Sequence, residues 1–431
     1  MQACMTRRAM LAGGGACLFG PGKARAFTGG EIDRAFDYVY PLFEMSRAIA
    51  RAPRSRNTLS YRRTLTQASH RTVTTPNNDT LFAYAMLDLA SGPVLVSAGD
   101  LQDRYWSIAF MDAFTDNFAI LGTRATRGIG GRFLITGPFW RGRADQDVRI
   151  IRAPTHDVWM LARILVSGPD DLTAANDALS RIKVLSAPAA RNLETATAGA
   201  ASAEMVFDAA AEMLRRSQDA PRMHGASRHR NAGVGAVRFS QLSEPLGKAW
   251  RQALQRAVVR LGAIYPDGMP AAGAWRVSHP DIGSARASDA LRAAVALGGL
   301  AALPRAEAMY FHTRHNESGG LLDPARAHEI ILPTDVPVDA FWSLTMYAAE
   351  SDGRFFFVDN PINRYSISNR SPGIERQPDG SIRVRIQATP PDSGNWLPAP
   401  QGPMQLAFRA YLPRAAVRRG RWVPPPIKAL G

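Results

Sequence analysis

Phe341-Trp342-Ser343-Leu344-Thr345-Met346-Tyr347 alternates apolar with polar side chains, residue by residue. Successive side chains of an extended strand point to opposite faces, so Trp342, Leu344 and Met346 share one face and Ser343, Thr345 and Tyr347 the other. Ile382, Val384 and Ile386 alternate in the same way with Arg383, Arg385 and Gln387, just after the turn-forming pair Asp379-Gly380. Met404, Leu406, Phe408 and Ala410 repeat the pattern against Gln405, Arg409 and Tyr411. Three such runs predict an antiparallel β domain over residues 305–431, with Trp342 in its core.

Toward the N-terminus the same period returns in shorter runs bounded by turn residues: Pro93–Ser97, Arg104–Met111, Asn117–Leu121, Arg132–Thr136, Val148–Arg152 and Asp157–Val166. They predict a second β domain within residues 27–166, opened by a helix. Thr28 and Glu31 form a capping-box pair there, and Ile32, Phe36, Val39, Tyr40 and Phe43 follow at helical spacing, with a kink expected near Pro41. Residues 167–304 read as a helical region, starting at Ser167-Gly168-Pro169-Asp170-Asp171 and continuing through Ala203–Arg216, Gln241–Ile264 and Ala287–Leu300. The polar, basic stretch Ser217–Val237 reads as a mobile connection. The expected class is therefore mainly β with helical segments: two β-sandwich domains joined by a helical region.

Residues 1–26 read as a leader. Arg7-Arg8 precede a short, glycine-rich apolar run and the small-residue site Ala24-Arg25-Ala26, the order of a twin-arginine export signal cut before Phe27. That run is too short to span a bilayer, so a soluble chain without a transmembrane segment, periplasmic or secreted, is expected. Cys4 and Cys17, the only cysteines, fall in the leader, which excludes disulfides, thiolate metal sites and cysteine nucleophiles from the mature protein. The formal charge is +15; the leader holds Arg7, Arg8, Lys23 and Arg25 and no acid, which leaves +11 without it. Arginine carries most of this charge, spread along the chain instead of clustered among aromatics, so anionic small molecules fit better than nucleic acid.

Two polar words stand out: Thr75-Pro76-Asn77-Asn78-Asp79-Thr80-Leu81 and Asn360-Pro361-Ile362-Asn363-Arg364-Tyr365-Ser366-Ile367. Tyr40-Pro41-Leu42-Phe43-Glu44-Met45, Arg104-Tyr105-Trp106 and Met111-Asp112-Ala113-Phe114-Thr115-Asp116-Asn117 flank the first. Ala340 to Tyr347 and Asn395-Trp396-Leu397-Pro398-Ala399-Pro400 flank the second. With these words the chain resembles the bacterial two-part proteins made of domain of unknown function 1254 followed by domain of unknown function 1214, over about residues 30–170 and 305–427. The resemblance implies a jelly-roll-like C-terminal domain, which pairs with an immunoglobulin-like N-terminal one. It implies no assigned reaction.

The words supply the candidate chemistry. Pro76 is expected to hold Thr75 extended, presenting Asn77, Asn78 and Asp79 either to a ligand or as caps of a turn. Asp79, with Asp112 and Tyr365, is the candidate acid or base. Asn77, Asn78, Asn363, Arg364, Asn395 and Trp396 are the candidate substrate contacts, Arg364 as anion anchor and Trp396 as ring platform. His312, His315, Glu317 and His328 form a local set of metal-type ligands, but a spacing of three on a strand puts the first two on opposite faces, and no metal is assigned. No G-x-S-x-G, H-E-x-x-H, P-loop or complete G-x-G-x-x-G is present, and no cofactor is expected. Two readings follow. One is an exported hydrolase or lyase acting on a polar, carbohydrate or acidic substrate where the β domains meet; the other is a non-catalytic periplasmic ligand-binding protein using the same cleft. Paired carboxylates would favour the first, amides and aromatics alone the second. Homo-oligomerisation is left open.

Overall fold

The computed structural model describes residues 27–52, 56–71, 74–189, 191–195, 200–265, 269–271, 273–350 and 354–430; the expected leader lies outside them. The chain is mainly β with helical segments. The N-terminal half holds α1 (Gly29–Arg51), β1 (Ser60–Arg62), β2 (Thr80–Asp88), β3 (Val94–Ala98), β4 (Trp106–Met111), β5 (Asn117–Gly122), β6 (Gly131–Thr136), β7 (Val148–Arg152), β8 (Asp157–Leu165), α2 (Leu172–Ser180) and β9 (Lys183–Val184). Next come α3 (Ala203–Arg216), α4 (Glu244–Gly262), β10 (Met269–Pro270), β11 (Arg276–Val277) and α5 (Asp289–Gly298). The C-terminal part comprises β12 (Ala308–Thr313), β13 (His328–Leu332), β14 (Val338–Ala349), β15 (Phe355–Phe356), β16 (Ser366–Ser368), β17 (Ile382–Gln387), β18 (Asn395–Pro398), β19 (Met404–Pro413), α6 (Ala415–Arg418) and β20 (Lys428–Ala429).

Strands of the N-terminal half form two sheets, β1-β2-β8-β4-β5 and β7-β6-β3-β9. Between them, Leu81, Ala83, Ala85 and Leu87 of β2 meet Val94 and Val96 of β3 and Phe133 and Ile135 of β6 in one apolar core. The C-terminal part repeats this plan. The sheet β10-β11-β12-β19-β14-β15, with β16 also on β14, packs on the sheet β18-β17-β13-β20. Its core takes the expected stripes: Trp342, Leu344 and Met346, then Leu406, Phe408 and Ala410, against Val384 and Ile386.

Helix α1 begins at the Thr28–Glu31 capping box and runs through Pro41 to Arg51. Most of its apolar face turns away from the sheets: Phe36, Val39 and Phe43 bury into a largely helical core with Val206 and Phe207 of α3, Trp250 of α4 and Leu291 of α5, which Met86 of β2 also joins. The stretch read as a mobile connection joins this core through a 3₁₀ segment at Pro221–Ala232. Its carbonyls at Met223 and Ala232 accept from the Tyr38 hydroxyl (3.3 Å) and the Trp250 indole (3.0 Å), and Arg222 pairs with Asp116. Polar composition there reflects partners for buried groups, which a count of polar residues cannot distinguish from exposure.

The polar face of the C-terminal sheet is the central feature. Ser343, Thr345, Tyr347, Gln405, Arg409 and Tyr411, read from sequence as the side opposite the core, are all buried. They face the outer surface of the sheet β1-β2-β8-β4-β5, so the two halves of the molecule meet across a polar interior.

Candidate functional site

The first polar word is riveted onto that interior. Arg409 on β19 donates to the Thr75 carbonyl at 3.0 Å, to the Tyr347 hydroxyl at 2.6 Å and to Thr345 Oγ1 at 2.9 Å. Tyr347 in turn donates to the Pro76 carbonyl at 2.6 Å, and the Thr75 amide donates to the Phe355 carbonyl at 2.8 Å. Thr75 takes φ of +46°, not the extended backbone expected ahead of Pro76. A β-branched residue at positive φ is strained, and here bonds to both its amide and its carbonyl hold it there. Asn77 caps the turn that follows, accepting from the amides of Asp79 (2.6 Å) and Thr80 (3.2 Å) and donating to the Tyr411 hydroxyl at 2.6 Å. Asp79 is buried and accepts from Ser343 Oγ at 2.8 Å. Burial raises its pKa, opposed by the nearby Arg409 charge and the Ser343 hydrogen bond. Burial equally opposes the charge of Arg409, but Tyr347, Tyr411 and Asp79 outweigh it and keep the guanidinium cationic.

Beside this rivet lies a cavity of about 430 Å³. Its floor is the outer face of β2 and β8, carrying Phe82, Tyr84 and Met86 next to Arg163, Leu161 and Trp159. Its opposite wall is the polar face of the C-terminal sheet, with Tyr310, His312, Arg409 and Tyr411. Ala48 and Ala52 at the end of α1, Tyr265 beyond α4 and the Gly299–Ala302 segment beyond α5 complete it, with Arg51, Arg62 and His70 toward the exposed side. Ala301, at φ +67°, is the second left-handed non-glycine residue of the lining; Arg163 Nη2 donates to its carbonyl at 2.9 Å. A ring placed as Tyr265 is needs glycine at 299, because a methyl group there would lie 2.6 Å from Tyr265 Cζ and Oη.

Charge in this lining is one-sided. Arg51, Arg62, Arg163 and Arg409 face it, and no Asp or Glu is among its described lining residues. Arg62 Nη2, Arg163 Nη1, Trp159 Nε1 and both ring nitrogens of His312 are buried with no hydrogen-bond partner among the described residues. His312 is held neutral: burial, then the Arg409 and Arg314 charges, lowers its pKa to about 3. Tyr310 and Tyr411 have raised pKa values through burial, so they stay protonated donors.

The other expected site residues fall elsewhere. Asn78 is half-buried and does not line the cavity. Asp112 lies at the turn after β4, accepting from the Phe114 and Asp116 amides at 2.9 and 3.1 Å and facing Arg222 at 3.4 Å. With Asp116, Arg222 and Arg292 it ties the sheet to the helical core, apart from Asp79. Burial raises the pKa of both acids, that of Asp116 to about 6. Asn363 is exposed, and Arg364 donates to the Trp396 carbonyl at 3.0 Å. Asn395 bonds the backbone of Glu375 and Arg383, and the Trp396 indole donates to Gln387. The second word thus pins β18 and a loop, and the two words do not meet on the cavity. Tyr365 comes nearest, stacked on Phe357 at 4.8 Å, which stacks on Tyr347 at 5.4 Å. Among the described residues no group of three His, Cys, Asp or Glu could hold a metal ion; His328 contacts the Asp323 carbonyl instead. No helix among them is long and apolar enough to cross a membrane.

A second depression of about 480 Å³ lies on the helical side, lined by Glu31, Asp37, Arg228 and Asp289 among others. Its lining mixes both signs, Glu31, Asp37 and Asp289 with Arg34 and Arg228, whereas the described lining of the central cavity carries cations without carboxylates.

Fold and cavity define a two-part β protein whose halves enclose a cationic, aromatic-lined pocket. Residues 56–185 match the family described as Protein of unknown function (DUF1254), and residues 307–415 that described as Protein of unknown function (DUF1214). The chain belongs to the two-part family that joins them in this order. Its structure is similar to the crystal structure of the VPA0106 protein from Vibrio parahaemolyticus, with 22% identity and a TM-score of 0.68 over 94% of this chain and 100% of that one. An uncharacterized protein from Burkholderia cenocepacia matches over 93% of each chain at 14% identity and a TM-score of 0.46. The first likeness is one of fold. No curated protein matches the chain.

Proposed function

We propose that the protein is a ligand-binding protein that holds a small organic anion in the cavity between its two β parts. One observation carries this: four arginines and no described carboxylate line a pocket whose remaining side chains are aromatic, aliphatic or uncharged polar, with His70 and His312 among them. Arg62 and Arg163 each keep one buried guanidinium nitrogen unpaired, and such a group favours an anion because the low local dielectric magnifies its charge. At about 430 Å³ the cavity lies in the range of small-molecule sites. The hydrolase or lyase reading needs acid and base around one ligand. Asp79 sits behind Asn77 and Arg409, and Asp112 serves another cluster, so that reading has less support. We read the paired sheets as sandwiches, immunoglobulin-like then jelly-roll-like, on the strength of their shared cores. Export by the twin-arginine route rests on Arg7-Arg8 and the Ala24-Arg25-Ala26 site.

Thermal shift with matched sets of organic anions, neutral isosteres and cations tests the binding reading. A ligand at a hundred times its Kd adds about 2.7 kcal/mol of stability, so anions should raise Tm with saturation while neutral and cationic sets do not. Equal shifts from all three sets, or none from the anions, would overturn it.

A further inference from the structure

We infer that the ligand is an amphiphilic carboxylate, its acid group on the Arg62–Arg163 rung and its apolar body laid along β2 and β8 toward Trp159; the inference rests on the anion-binding reading. The sheet register supplies the geometry. Arg62 pairs with Phe82, and Phe82 pairs with Arg163, so one rung across β1, β2 and β8 reads Arg62–Phe82–Arg163. All three line the cavity, and each arginine has a buried guanidinium nitrogen without a partner. Neighbouring strands lie about 4.8 Å apart, so the two Cα atoms stand roughly 10 Å apart on either side of Phe82. Arginine side chains are long enough to converge over that ring, and the Arg163 guanidinium already lies 6.0 Å from its centroid. A carboxylate fits such a pair through two-pronged bonds. Arg409, by contrast, is already bonded to Thr75, Thr345 and Tyr347.

Along the strands polarity falls. The next same-face rung pairs Tyr84 with Leu161, and the one after pairs Met86 with Trp159. At about 3.3 Å per residue, Trp159 lies roughly 13 Å from Arg163. Over this stretch the cavity is covered by Ala48, Ala52 and Leu300. The small side chains of Ala48 on α1 and Ala52 at its C-cap leave room for an alkyl or ring body.

Calorimetric titration of the whole protein with butanoate, hexanoate, octanoate and decanoate, and with methyl octanoate, tests this. Affinity should rise about fourfold per methylene until the apolar stretch is filled. Methyl octanoate should bind at least a hundredfold more weakly than octanoate. Arg163→Met should weaken octanoate at least tenfold while leaving methyl octanoate unchanged. Trp159→Phe should remove the fluorescence change that octanoate and decanoate produce and butanoate does not. Melting curves of the variants separate misfolding from lost contact. If organic anions bind but without chain-length dependence, or Arg163→Met weakens acid and ester alike, the carboxylate-and-tail assignment is overturned while the anion reading stands; if no organic anion binds, both fall.

Discussion

At the level of single residues, His312 shows how the interior sets chemistry. On β12 it faces the cavity, buried beside Tyr265 and close to the charges of Arg409 and Arg314. Its pKa falls from 6.5 to about 3, so the folded state refuses a proton that the unfolded chain accepts. Its contribution to stability is therefore present above pH 6.5 and lost progressively as pH falls toward 3. Between pH 6.5 and 5 the loss amounts to about 2 kcal/mol. His312→Phe should abolish that part of the acid sensitivity, measured as urea midpoints at pH 7 and pH 5; parallel losses in wild type and variant would refute the assignment. Asp79 titrates the opposite way: burial favours its protonated form, so it adds no such acid sensitivity. Of the residues singled out from sequence, Asn77 reaches the cavity, as does His312, read there only as a metal-type ligand, and Asp79 lies next to Asn77 outside the lining. Arg163 and Arg409 were not singled out, although both stand in runs read as strands, because alternation assigns a residue to a face without saying what covers that face.

Among elements, strands were the most legible. Runs such as 132–136, 148–152 and 157–166 are bounded by turn residues and match β6, β7 and β8 within a residue or so. The stripe of Trp342, Leu344 and Met346 is core, as its period requires. Association was less legible: α1 stands next to β strands in sequence yet packs on helices 160 to 260 positions away, a choice made by apolar surface that only the folded chain brings together. Loops were least legible, since Asn360 and Arg364 serve backbone partners that polar words do not reveal, as does Asn395 at the start of β18. The end of α5 makes an element-level prediction. Gly299→Ala would set a methyl group against Tyr265 and drive the ring toward the cavity. A stability loss of about 1–3 kcal/mol is expected, with at least tenfold weaker anion binding. Unchanged melting and titration curves would show that Tyr265 has another place to go.

Taken whole, the molecule closes a polar interior between two β parts. Tyr105 and Arg124 of the first meet the buried Glu307 at the start of the second, at 2.9 and 2.7 Å, and burial raises the pKa of that acid. Ser343 meets Asp79, and Tyr347 meets Pro76. Separating the halves would strand these groups unpaired, at about 1–3 kcal/mol for each buried group left without a partner. The full chain should therefore melt in one calorimetric transition, and residues 305–431 alone should show none at that temperature. A fragment melting as the full chain does would mean that the interface contributes little.

The rivet at Thr75–Asp79 also has a timetable. Arg409 and Tyr411, which hold its carbonyls and Asn77, lie more than three hundred positions later in the chain. At translation rates of about 5–20 residues per second they leave the ribosome on the order of half a minute after the loop they fasten. During that interval Phe82, Tyr84 and Trp159 stand on a face of the nascent first sheet with no opposing wall. The pocket comes into being only with the last tenth of the polypeptide, so a chain truncated before β19 would lack the wall that Arg409 and Tyr411 supply.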